Sequence, residues 1–215
     1  MTKNALILAS DIIEQAQHSG RRAGTSLEKI ASEQGDETML AVLTEMDILT
    51  VAKIVREHDA TIPSIATWLM DAESIKQLLN VEPSYWQNMG EDQVFCAQTE
   101  AHSLLTQIFL SSDDEEKQLE VLNAIVKDDF GLLYLSLPFV GHDFSELEED
   151  EEQTSGSVEE LLMKIKTLNE DAYREVMTVS TNGTLENIEK ALKQNANKQR
   201  VTAVEMDTDD MFAPL

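Results

Sequence analysis

Apolar residues recur every three or four positions through most of the chain, the interval of a helix that buries one face. In NALILASDIIEQAQ the residues Leu6, Leu8, Ile12, Ile13 and Ala16 fall on one broad face, and Gly20 follows as a stop. TSLE at 25–28 has the spacing of a capping box, in which Thr25 and Glu28 satisfy each other's free amides. From Asp36 the apolar positions Met39, Leu43, Met46, Leu49, Val51, Ile54 and Val55 predict one long helix or two, with Asp47 as the candidate break. Pro63 suits the first turn of the next helix. Asp71 is a candidate cap for a helix that buries Ile75, Leu78 and Leu79.

Pro83 and Gly90 bracket an irregular piece, and a helix is expected from Glu91 to Leu110. SDDEEKQLEVLNAIVKDD then reads as a serine cap followed by four acids in the first turn, where the helix dipole favours negative charge. GLLYLSLPFVG at 131–141 is the one stretch that a strand would suit, being apolar and bounded by glycines, but it is short and carries a proline, so strand, helix and loop stay open. Ser157 and Glu160 form a second capping-box pattern ahead of Val158, Leu161, Leu162, Ile165, Leu168 and Ala172. TNGT at 181–184 reads as a turn, and LENIEKALKQNANK as a last helix.

These elements predict a mainly α fold: a multi-helix bundle with an acidic loop, a helical C-terminal hairpin and little or no β structure. Residues 1–141 are expected to form a helical domain, 142–157 an acidic flexible loop, and 158–198 a helical hairpin packing on or beside the first domain. Residues 199–215 remain as an acidic tail with an apolar tip.

Charge changes the picture most. The chain of 215 residues has 41 acids against 16 bases, a net charge of −25. Residues 111–160 hold 16 of the acids and only 2 bases. Six acids crowd between Glu146 and Glu152, a density of like charge that cannot fold alone. Such a surface repels nucleic-acid backbones and anionic membranes, so neither direct nucleic-acid binding nor membrane insertion is expected. It attracts basic or amphipathic segments of partner proteins and speeds their encounter. Solubility alone is the competing explanation.

Candidate chemistry is sparse. One cysteine, Cys96, and four scattered histidines offer no converging ligand set, so no metal and no cofactor are expected. The lone cysteine favours a reducing compartment, and the apolar run at 5–9 is too short for a signal peptide or a membrane span; a cytoplasmic location is expected. SLEK at 26–29 has a spacing that some acyl enzymes use, without their companion motifs. Glu57 and Asp143 each adjoin a histidine, but no nucleophile is nominated. No catalytic residue is assigned.

Contact surfaces are better marked. Trp68, Tyr85 and Trp86 stand near predicted helix ends in a chain poor in aromatics, and such rings anchor protein interfaces or fill cores. YLSLPF at 134–139 resembles the short peptides with which DNA-replication proteins dock on bacterial sliding clamps, with Tyr134 in place of the usual glutamine. The same stretch is expected to be buried. The tail DTDDMFAPL resembles the acidic, proline- and phenylalanine-containing tip of bacterial single-stranded-DNA-binding proteins. In it Asp207, Asp209 and Asp210 would steer, while Met211, Phe212 and Leu215 fill a partner's pocket; a frayed terminus is the other reading.

The favoured function is a non-catalytic acidic adaptor or chaperone binding protein partners, similar in composition to the acidic chaperones of bacterial secretion or assembly machines. The alternatives are an accessory or inhibitor in DNA metabolism, acting as a polyanion mimic or by tail docking, and an enzyme with an unmarked site.

Overall fold

The computed structural model describes residues 3–58, 64–81, 93–144, 154–183 and 186–195, and every regular element among them is a helix. Near the N-terminus lie α1 (Lys3–His18), α2 (Gly20–Gln34), α3 (Asp36–Thr44) and α4 (Ile48–Arg56). A short α5 (Ile65–Leu69) leads into α6 (Ala72–Val81). Then come α7 (Gln93–Phe109), α8 (Glu115–Val126) and α9 (Asp129–Ser136), which runs into a 3₁₀ turn at Leu137–Phe139. The chain returns through α10 (Val158–Leu168), α11 (Glu170–Asn182) and α12, residues 186–195.

The first four helices pack as one group, and α6 lies between α4 and α8. Helices α10 and α11 pack on each other and on α7, α8 and α9. One apolar cluster runs through all of these, from Ala5 in α1 to Leu192 in α12. Lys164 in α10 pairs with Glu115 in α8 at 3.0 Å, and Asn169 donates to Asn123 Oδ1 at 2.9 Å, so polar contacts seat the C-terminal helices as well. Asn195 in α12 donates to the Asn80 carbonyl of α6 at 2.8 Å.

Several helix starts follow local chemistry. Asp47 separates α3 from α4 and accepts from the Thr50 amide at 2.9 Å. Asp71 accepts from the Ser74 amide at 2.7 Å. Ser157 accepts from the Glu160 amide at 3.1 Å, while Glu160 reaches back to the amide of Gly156 rather than that of Ser157.

Three expectations are corrected and one open question is settled. TSLE lies inside α2 and caps nothing: Ser19 starts that helix by accepting from the Arg22 amide, and Thr25 Oγ1 donates to the Arg21 carbonyl at 3.1 Å. The cap of α8 is Asp114, which accepts from Lys117 at 3.1 Å, and not a serine. The stretch 131–141, open between strand, helix and loop on sequence, forms the end of α9 and the 3₁₀ turn; an element buried on all sides shows no period that would tell them apart. The buried face of α1 is Ala5, Ala9, Ile12 and Ala16, whereas Leu6 is 51% exposed. Small residues on that face let α1 lie close to its neighbours, which turns the leucine outward.

Close approach also governs α2 against α4. A Cβ on Gly20 would stand 2.6 Å from the Lys53 carbonyl oxygen. The Gly20 amide donates to Glu57 Oε2 at 2.7 Å, so the carboxylate that precedes His58 serves the start of α2. Gly20→Ala is expected to lower stability by about 1–3 kcal/mol, because backbone must move to admit the methyl group. Urea denaturation of the two proteins measures it; an unchanged midpoint would mean that the α2–α4 contact is looser than this.

Candidate functional site

An opening that an exposed aromatic overlooks lies where α5, the end of α7 and the start of α8 meet. Helix α5 has only five residues, and its alternate sides face opposite ways. Ala66 and Thr67 are buried, with Thr67 Oγ1 donating to the Ser64 carbonyl at 2.8 Å. Trp68, next in sequence, is 48% exposed. Burying an indole is worth more than burying almost any other side chain, so one left half in solvent marks a surface that another molecule can cover.

The cleft beside Trp68 has a volume of about 390 Å³. Ile65, Ile75, Ile108 and Val121 supply its apolar lining; Gln107 and Gln118 supply buried polar atoms; Asp113 and Asp114 stand at its edge. Gln118 holds the α7–α8 turn in place: its Nε2 donates to the carbonyls of Phe109 at 3.0 Å and Ser112 at 2.5 Å. Its Oε1, in a residue only 3% exposed, has no hydrogen-bond partner among the described residues, and neither has Gln107 Oε1.

Lys117 crosses the edge of the cleft and donates from Nζ to the Trp68 carbonyl, tying α8 to α5. Partial burial holds its ammonium below the usual lysine range, against the pull of Asp114, Asp71 and Glu120. The Asp71 carboxyl is held below its ordinary value by hydrogen bonds from the Ser74 amide and side chain, with a smaller contribution from Lys117. Lys117 is thus the base among four acids, Asp71, Asp113, Asp114 and Glu120.

Two sequence models match the chain in succession: one described as the AtcB N-terminal domain over residues 1–69, the other as the AtcB C-terminal domain over residues 72–207. The chain belongs to the AtcB family. A curated relative, "Adaptation to cold protein B" of Shewanella oneidensis, is 33% identical over 158 residues, which is 69% of this chain and 63% of the relative. The chain therefore spans less than two thirds of that relative's length. No solved structure matches the chain. On the AtcB division, α5 ends the N-terminal domain, while α6, α7 and α8 belong to the C-terminal domain. The Trp68 cleft sits across that boundary, a common place for binding sites.

Of the residues that the sequence singled out for contact, Trp68 stands on this cleft. Tyr85, Trp86 and the tail residues Asp207, Asp209, Asp210, Met211, Phe212 and Leu215 lie outside the described residues, as does the acidic run from Glu146 to Glu152. YLSLPF is buried throughout, as expected, and the carbonyls of Leu137 and Val140 accept from Gln98 at 3.1 and 2.8 Å. Its side chains are therefore committed to this AtcB core and not displayed as a clamp-docking peptide would be. SLEK is an ordinary turn of α2, with Ser26 Oγ donating to Gln15 Oε1 at 2.6 Å. Among the described residues no three His, Cys, Asp or Glu side chains converge as a metal site, and no helix is long and apolar enough to cross a membrane. Gln107, Gln118 and Lys117 were missed by sequence reasoning. A glutamine that becomes a buried, half-satisfied acceptor through packing leaves no local pattern.

Proposed function

We propose that this AtcB-family chain is a non-catalytic acidic adaptor that holds partner proteins through their basic or amphipathic segments. We propose further that it serves adaptation to cold, as the name of its Shewanella relative states for that protein. The observation that carries the reading is the half-exposed Trp68 over an acid-edged cleft at the boundary of the two AtcB domains. An aromatic anchor beside apolar wall and charge is the usual make-up of a protein-binding hot spot. Phe95 at 72% exposure and Ile7 at 55% add apolar surface elsewhere. The net charge of −25 favours fast, salt-sensitive encounter with basic partners.

Affinity capture from a native extract, followed by elution with rising salt, tests the reading. Specific proteins should be retained at low salt and released as the charges are screened. Retention of a small molecule alone, turned over on incubation, would sink it in favour of an enzyme. A gel-shift assay gives a separate check: the purified chain should not retard DNA or RNA at physiological salt, since the net charge repels the phosphate backbone. Tight retardation there would contradict the electrostatic basis of the proposal.

A further inference from the structure

The Trp68 cleft carries a more specific reading, which rests on the adaptor function above. Its two glutamine oxygens are the starting point. Both N–H groups of the Gln118 amide are already used by the Phe109 and Ser112 carbonyls. Turning the amide over would set oxygen against oxygen, so its orientation is settled and Oε1 is left as an acceptor without a donor. Gln107 Oε1 is a second buried acceptor without a donor, in a half-buried residue that lines both this cleft and the one between α4 and α7. Buried acceptors that have lost water and gained no donor are unfavourable until something supplies an N–H. Both oxygens are shut off from solvent while their residues line the cleft, so a ligand rich in donors is favoured there once the glutamine side chains shift toward it.

Three further features narrow the choice. The edge carries Asp113 and Asp114, so a cation is favoured over a neutral amide. The Lys117 ammonium is engaged with the Trp68 carbonyl, which turns the nearest positive charge to a structural task. The exposed indole of Trp68 offers a face on which a planar cation can stack. An arginine side chain satisfies all of these together. Its guanidinium is flat, always charged and carries five donors in a fork, and its methylene stem suits the isoleucine wall. A lysine brings a point charge that stacks less well and is more costly to desolvate. We propose that this cleft receives an arginine side chain presented by an exposed segment of a partner protein.

The test uses the full-length protein and the peptide acetyl-Ala-Leu-Arg-Leu-Ala-amide, with a control in which citrulline, a neutral near-isostere, replaces arginine. Nitrogen-edited NMR follows the Trp68 indole N–H, assigned with Trp68→Phe. The arginine peptide should shift that signal saturably, and with at least about fivefold higher affinity than the citrulline peptide, given the contributions of the charge and the stacking contact. Gln107→Leu should weaken arginine-peptide binding by a similar factor. If that variant melts early, Asp113→Asn, at an exposed position, takes its place. No saturable shift of the Trp68 signal, or equal affinity for the two peptides, overturns the proposal. Capture from extract separates this failure from that of the adaptor reading. If Trp68→Ala retains the same proteins as the intact chain, the arginine cleft is wrong and the adaptor stands. If the intact chain retains no protein, the adaptor reading is wrong whatever the peptide does.

Discussion

Phe139→Ala is expected to lower the unfolding free energy by about 3–5 kcal/mol, the range for removing a buried ring from a packed core. Phe139 is 1% exposed and meets the Phe144 ring edge-on at a centroid distance of 6.1 Å. It closes the 3₁₀ turn whose carbonyls are held by Gln98, so the cavity left by alanine has little freedom to collapse. For a chain of this size the melting temperature should fall by about 10 °C. Leu6→Ala is the matched control: at 51% exposure it should change stability by about 0.5 kcal/mol or less. Thermal melts followed by circular dichroism measure both. The result also decides what YLSLPF is for. Should Phe139→Ala melt normally yet lose a partner, the segment would be a displayed docking peptide after all and its burial in the fold would be wrong.

The helices were legible where a single side chain decides a boundary. Asp47, Asp71 and Ser157 each hold a free amide three residues on, a contact fixed by the local sequence. The TSLE pattern satisfied the same rule and failed, because Ser19 had already started α2 and helix interiors tolerate the sequence equally well. On α1 only Leu6 departs from the expected face, for a different reason. Leucines weigh more than alanines in any periodic pattern, but close helix packing favoured Ala5 and Ala9 in the core and left Leu6 to solvent. At the cleft Trp68 was visible as a rare residue. Its glutamines were not, since α7 and α8 become neighbours of α5 only when the chain has folded. The domain boundary at 69–72 carries no composition shift that would announce it.

Deleting residues 207–215 is expected to leave the melting temperature within about 2 °C of the intact chain and to weaken partner capture by about tenfold or more. This tail lies outside the described residues, and its sequence alone motivates the expectation. Asp207, Asp209 and Asp210 precede Met211, Phe212 and Leu215, so charge stands directly ahead of apolar side chains. Burying Phe212 and Leu215 in a partner's pocket is worth roughly 1.5–3 kcal/mol each before the cost of ordering the tail, which is enough for that loss. Phe212→Ala should reproduce much of it. Reversing Asp209 and Asp210 to lysine should instead slow association, more at low salt than at high, because steering acts over distances that salt screens. Association and dissociation rates measured at two ionic strengths separate the two contributions. A truncated chain that captures every partner as well as the intact one would make the tail a frayed end. A truncated chain that melts many degrees lower would instead place Phe212 and Leu215 in contact with their own protein, leaving the Trp68 cleft to carry partner binding alone.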